Sequence, residues 1–412
     1  MFGRSRAYQG GQGRIERRES KPEMLRRSFL NFFATLFLAV CFFTATNCNL
    51  QRSSNNSSDP QRQRTPAQTA HNSNVQPEAT QASYDFTTID SILERAAPRL
   101  GGCALLLIKD DKVVYRKSFG RYGADKVVPI ASASKWLSGV LIMTLVDEGK
   151  ISLDDTVSKY VPEFGADKSN ITVRHLFAHT SGLPPEARCR NDKRTTLELC
   201  VSEMSRLQLT SSAGKEFYYG GVAMHIGGRI AEIVTGKSWN ELFAEKIATP
   251  LGMTRTDFFA YGPTDNPRPA GDARSSADDY GRFLQMILQR GSFNGKQILS
   301  AASVVEMHKD QTGGARIAYT IYEKHAARDP SLPRARYGVG VWREKVGEAS
   351  QQLREASSQG ALGFSPWVDV ERNLAGVLSV QSSFSRVVPV YLELKEEIRR
   401  IVPAGDNPLG LH

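Results

Sequence analysis

From Leu137 to Val146 the chain is almost entirely apolar, and Ser132 and Lys135 stand at the mouth of that run. A segment this long and this apolar predicts a helix buried on every side, so other layers must pack around it. Ser-x-x-Lys at the start of such a helix sets a hydroxyl and an amine one turn apart on the same face. A serine hydroxyl is a poor nucleophile until a neighbouring base removes its proton. Burial lowers a lysine pKa towards neutrality and makes the amine able to be that base. A lysine at the edge of a buried helix needs such a reason to be there. Ser132 is therefore the candidate nucleophile and Lys135 its activator.

The chain has 412 residues, 23% charged and 40% hydrophobic, as expected of a globular protein. Its net charge of +10 does not mark a nucleic-acid binder. About half of the excess precedes Cys48, and the rest forms no basic stripe interleaved with aromatics. The early charge belongs to a leader. Arg26-Arg27 precedes an apolar run from Phe29 to Thr46, which fits a signal-peptide core and is short for a membrane span. Residues 1–48 then read as an export signal, with Cys48 as the lipidated residue of a lipoprotein. An uncleaved N-terminal anchor helix is the alternative. Both place the rest of the chain outside the cytoplasm, periplasmic or at the cell surface, and against a membrane. Residues 49–83 are rich in Ser, Asn and Gln, bury too little to offset ordering, and predict a disordered tether. Of the five cysteines, Cys189 and Cys200 lie close together in a polar stretch and could pair in an oxidising compartment. Cys103 sits in an apolar run and reads as core.

Pattern begins at Tyr84, and residues 84–404 read as one domain. Ile89, Ile92, Leu93 and Ala96 recur at helical spacing before Gly101-Gly102. Cys103–Ile108 and Val113–Tyr115 flank a polar turn and predict a hairpin. The middle, from about Leu153 to Leu332, is mostly helical pattern, including Ala223–Val234 and Trp239–Ile247. Strand patterns return at Tyr337–Trp342, Gly363–Val370 and Leu374–Val380, and a last helix spans Val390–Ile401. This order predicts an α/β (α+β) fold in which one sheet is built from both chain ends, flanked by helices, with a mainly helical subdomain inserted.

Ordered motifs then coincide with one family. Besides Ser132-Ala133-Ser134-Lys135 they are Leu153-Asp154-Asp155 through Tyr160-Val161-Pro162, the whole stretch from Ile171 through His179-Thr180-Ser181-Gly182-Leu183-Pro184, Pro250-Leu251-Gly252-Met253, and Tyr337-Gly338-Val339-Gly340. Together they resemble the serine β-lactamase and penicillin-binding-protein superfamily, specifically its class C-like branch, over about Asp85 to Val402. The resemblance implies an antiparallel sheet flanked by helices and a serine hydrolase working through an acyl-enzyme on Ser132, with no cofactor and no metal. It gives Lys135 as general base and Tyr219 as the tyrosine of a Tyr-x-Asn motif, where a neighbouring ammonium would ease its ionisation. Gly221 stands where the asparagine is expected. The third motif falls on Ser358-Gln359-Gly360-Ala361, a substrate-binding stretch whose Ala361 N–H joins that of Ser132 as an oxyanion hole. Ser358 replaces the usual cation. Without asparagine and cation, an ester or amide is favoured over a β-lactam substrate, and peptidoglycan remains a candidate partner. A catalytically weak protein that binds cell-wall material or a protein partner is the alternative.

Other residues carry plainer expectations. His175 and His179 are spaced i, i+4 but no glutamate follows His175, so both read as hydrogen-bonded structural groups rather than zinc ligands. His225 reads as structural or rim, and Trp136 and Trp367 as packing. Arg274, Ser275 and Ser276 fall in a loop that borders the cleft in the resembled family.

Overall fold

The computed structural model describes residues 84–123, 125–322 and 336–405. Cys48, the leader and the tether lie outside the described residues. Alternation in the strand at Cys103–Lys109 (β1) fixes the layers. Its Leu105 and Leu107 face a cluster shared with Ile89, Leu93, Val387 and Leu394, whereas Ala104, Leu106 and Ile108 face the main core. One face of the sheet is thus covered by helices α1 (Thr87–Leu100) and α5 (Phe384–Ile401). The other is covered by α4 (Ala277–Leu288), whose Gly281 sits against Leu106 so closely that a Cβ would come within 2.6 Å of its methyl. Each leucine so buried contributes roughly 1.5–3 kcal/mol.

The sheet has six strands. β1 pairs with β2 (Lys112–Phe119) on one side and, across the whole length of the domain, with β6 (Leu374–Ser379) on the other. Outward from β6 run β5 (Ser365–Asp369), β4 (Leu353–Ser357) and β3 (Trp342–Val346), all antiparallel. The insertion between β2 and β3 carries α2 (Ser134–Asp147), α3 (Val222–Thr235), α4 and many short 3-10 turns. The fold is therefore α+β with an antiparallel sheet, as the sequence implied.

Two strand readings need correction. Tyr337–Val341 is not a strand; β3 begins only at Trp342. Gly340 has φ 78° and lies against the Lys135 carbonyl, and Gly139 of α2 lies against the Val339 carbonyl, so this segment is folded onto α2. β4 had no strand reading, because Arg354 and Glu355 interrupt its apolar pattern. Glu355 is nevertheless buried. It pairs with Lys395 at 2.5 Å and Arg399 at 2.7 Å from α5, and Lys395 also holds Glu344 of β3 at 2.6 Å. Such a cluster is tolerable in a core only because every charge is paired.

Candidate active site

Every side chain of α2 from Ser134 to Leu145 is buried, which explains its apolar sequence. Ser132 lies just before the helix proper, on a 3-10 turn at Ala131–Ala133. The turn is entered through Ala131 at φ 46°, a left-handed conformation that costs a non-glycine residue energy and recurs at functional sites. The surroundings hold the turn in place. Ser134 Oγ donates to the Ala131 carbonyl and accepts from the Ala273 N–H, and the Tyr280 hydroxyl donates to the Ala133 carbonyl.

Lys135 Nζ lies 3.0 Å from Ser132 Oγ and 2.9 Å from the Ala270 carbonyl. Only 3% of the residue is exposed. Burial brings its pKa down to about 7, the Arg190 charge adds to the lowering, and Glu186 opposes it. The amine is thus half neutral near physiological pH, hydrogen-bonded to a hydroxyl that reaches the surface in part.

Tyr219 follows the short strand Glu216–Tyr218. Its ring stacks on Trp342 at 5.2 Å, and Lys135 Nζ sits 4.6 Å from the ring centroid, over the face. The expected easing of its ionisation is not found. Burial pushes the phenol well above its usual range, although the Ser132 hydroxyl, the Trp342 indole and Tyr337 favour the charged form. Its buried hydroxyl accepts and donates no well-aligned hydrogen bond among the described residues. Tyr219 is therefore a protonated phenol at neutral pH.

The third motif meets the serine directly. Ser358 Oγ donates to the Ser132 carbonyl at 3.1 Å. Gly360 packs so tightly on the Ile130 carbonyl that a Cβ would stand 2.2 Å from it. The N–H of exposed Ala361 has no hydrogen-bond partner among the described residues and is free to meet an oxygen. Gln359 is engaged elsewhere. Its carbonyl oxygen accepts from Tyr322 and Ser357, and its amide donates to Glu344 at 3.3 Å, tying the motif to the buried charge cluster.

The place of the missing asparagine is occupied. A Cβ on Gly221 would lie 2.0 Å from Arg190 Nη2. Arg190 belongs to the loop that the Cys189–Cys200 disulfide closes, with Cα atoms 5.3 Å apart. Neither Arg190 nor the Ala270 carbonyl is visible in the sequence as a site group: an arginine in a polar loop and a backbone oxygen carry no pattern.

Of the remaining residues, His175 caps the turn at Val173–Phe177 through Thr172, and His225 bonds Asn266 at 2.8 Å. His179 departs from expectation. Both of its nitrogens are buried without a partner, and the ring lies 4.6 Å from that of Tyr219 and 4.9 Å from that of Tyr337. Burial and the nearby Lys135 charge hold it neutral. Arg274 pairs with Asp257 at 2.9 Å, Ser275 is buried beside Thr256 and Ser276 caps α4, so this trio braces the strand before Ser132 rather than touching the serine. Trp136 and Trp367 are buried packing groups, and burial raises the Cys103 thiol to about 11. No group of metal-ligating side chains is assembled among the described residues.

This fold has counterparts. The sequence profile of the Beta-lactamase family matches residues 89–394, and the chain belongs to that family. It is similar to a candidate beta-lactamase of Bacteroides dorei DSM 17855, with 34% identity and a TM-score of 0.70 over 77% of this chain and 99% of that one. The hydrolase EstCE1, described as having promiscuous acyltransferase activity, shares the fold at 19% identity, with a TM-score of 0.61 over 75% of this chain and 97% of its own. Protein flp of Staphylococcus aureus strain COL is 31% identical over 188 residues, 41% of this chain and 38% of that protein. The chain thus spans about two fifths of the length of the curated relatives it matches.

Proposed function

We propose that this chain is an exported serine hydrolase that cleaves esters or amides through an acyl-enzyme on Ser132. The observation that carries the reading is the 3.0 Å contact between Ser132 Oγ and a buried amine whose pKa falls to about 7. Neutral Lys135 takes the Ser132 proton as Oγ attacks the substrate carbonyl carbon. The developing oxyanion is held by the Ser132 and Ala361 amides. Collapse of the tetrahedral intermediate expels the alcohol or amine, which receives the proton held by the Lys135 ammonium, directly or relayed through the Tyr219 hydroxyl, so that Lys135 is neutral again. Water, giving its proton to Lys135 with Tyr219 in support, then attacks the acyl carbon, and Lys135 passes that proton to Ser132 Oγ as the acid leaves, restoring the starting state. β-Lactams and peptidoglycan-like peptides are second choices, because no asparagine at 221 and no cation at 358 meets them. Export and anchoring, through lipid on Cys48 or an uncleaved helix, rest on the leader sequence.

Labelling by a fluorophosphonate, lost in Ser132→Ala, together with turnover of a short-chain p-nitrophenyl ester, is the expected result. A folded protein that labels with neither fluorophosphonate nor fluorescent penicillin, and turns over no ester, would instead be a binding module, the reading that the two altered motifs favour.

A further inference from the structure

The segment Tyr337–Trp342 has no part in the reaction proposed above, yet it closes on Tyr219. Gly340, in the left-handed region, lets the chain turn back against the Lys135 carbonyl of α2, and Tyr337 and Trp342 meet again across an isolated antiparallel bridge. Both side chains are fully buried. Their rings cross edge to face with centroids 4.8 Å apart. Both lie against Tyr219: Trp342 stacks on it at 5.2 Å and Tyr337 meets it edge to face at 6.0 Å. His179 joins the same group, 4.6 Å from the Tyr219 ring and 4.9 Å from that of Tyr337.

Polar atoms are left over in this aromatic box. The Tyr337 hydroxyl, the Trp342 indole N–H, the Tyr219 hydroxyl and both His179 nitrogens are buried without a well-aligned partner among the described residues. One buried donor left unpaired is costly, and several in one place call for a reason. The indole N–H is a donor in every protonation state met by a protein, and burial holds the Tyr337 phenol protonated, well above its usual range. Against the burial that keeps Tyr219 protonated, both groups favour its charged form. Tyr219 in turn favours the protonated form of Tyr337, the sense in which Tyr337 donates and Tyr219 accepts. Of the other titratable groups that face Tyr219, Lys135 lies over its ring, His179 is neutral, and the Tyr319 phenol opposes its ionisation. The Tyr219 oxygen is thus set among donors, and no acceptor among the described residues takes its own proton.

We propose that Tyr337 and Trp342 are positioning residues for the proton relay: their O–H and N–H support the Tyr219 oxygen while it hands its proton to the leaving group and takes one from the Lys135 ammonium. The proposal rests on the hydrolase reading above. As the bond from the acyl carbon to the leaving atom breaks, its electron pair stays on the leaving atom, which gains the Tyr219 proton. Tyr219 regains a proton from Lys135, and Lys135 becomes neutral. Between the two transfers negative charge gathers on the phenol oxygen, where donors already in place need no reorganisation. Their support matters most when the leaving group needs a proton. An ethoxide does, whereas p-nitrophenolate leaves without one.

The test uses the full chain and two changes that keep the rings: Tyr337→Phe, which removes only the hydroxyl, and replacement of Trp342 by benzothienylalanine, which keeps the double ring and lacks the N–H. Melting curves are matched to the parent. For each, kcat/KM is measured with ethyl butyrate and with p-nitrophenyl butyrate, which deliver the same acyl group. The ratio of ethyl to p-nitrophenyl ester should fall by about fivefold or more in each variant, whereas a lesion that merely loosens the fold lowers both rates alike. In a Tyr219→Phe background neither change should move the ratio further. An unchanged ratio, or an equal fall with and without the Tyr219 hydroxyl, overturns the part assigned to that residue. A second measurement needs no turnover: a tetrafluorotyrosine, whose phenol is far more acidic than that of tyrosine, is placed at 219 and its ionisation followed by fluorine NMR between pH 5 and 10. Its midpoint should rise by about half a unit or more in Tyr337→Phe; a midpoint that stays or falls overturns the proposal. If neither ester is hydrolysed by the unmodified chain, the hydrolase reading fails, and the fluorine titration still decides whether Tyr337 supports the Tyr219 oxygen.

Discussion

Lys135 should reveal itself through protons. With its pKa at about 7, the neutral fraction rises from about one tenth at pH 6 to about nine tenths at pH 8, so acylation governed by this base should climb about tenfold and then level off. An ordinary lysine would instead give about a hundredfold over the same span, with no plateau below pH 10. The same shift has a price in stability. Lowering the pKa from 10.5 to about 7 corresponds to about 5 kcal/mol. Between these two values the unfolded chain binds more protons than the folded one, so stability rises with pH across that window. At pH 6 both states are protonated and the fold carries the full cost. Lys135→Met removes that cost and loses the bonds to Ser132 and Ala270, worth about 1–2 kcal/mol together. The variant should gain roughly 3 kcal/mol at pH 6, shrinking towards nothing or a loss by pH 10, and acylation should drop by about 10²–10⁴. Denaturant unfolding at pH 6 and pH 9 and stopped-flow acylation between pH 5 and 9 measure both. A flat acylation profile, or a stability difference that ignores pH, would refute the assignment of a buried, nearly neutral amine.

Three further outcomes follow from the packing. Lys395→Met leaves Glu344 and Glu355 without their shared cation in the core and should cost about 3–5 kcal/mol by denaturant unfolding. Gly360→Ala drives a methyl to 2.2 Å from the Ile130 carbonyl; ester turnover should fall by about tenfold or more while the protein still folds, and unchanged turnover would show that the motif's seat against the Ser132 turn is not critical. Replacing Cys189 and Cys200 by serine opens a short loop and should lower stability by about 2–3 kcal/mol.

The sequence carried the strands β1, β5 and β6 and the Ser132–Lys135 pair because these are periodic or short-range signals. Alternation marks β1 and β6, and one helical turn joins hydroxyl to amine. It misled wherever distant partners decide. Tyr337–Val341 looks extended, but its glycines serve a close approach to α2. β4 has no apolar run to mark it, and its buried Glu355 is matched only by Lys395 and Arg399 from α5, far along the chain. Tyr219 was expected to ionise readily beside an ammonium, yet depth of burial outweighs the neighbouring charge. His179 was expected to be hydrogen-bonded and is instead packed among rings. Gly221 looked like a loss of function at one position, and only the loop from Pro184 to Cys200 explains what stands in its place.

The pairing of β1 with β6, Leu105 opposite Leu378 and Leu107 opposite Gly376, joins segments at opposite ends of the domain. No nascent chain can complete that ladder before its last strand has left the ribosome. Until then β1 offers a raw, strongly apolar edge on its β6 side, which invites capture by other chains or by chaperones. Truncation even a few dozen residues short of the C-terminus should therefore yield insoluble material rather than a smaller working enzyme. Assembly should also be slow, since the longest loop must close before its contacts repay it.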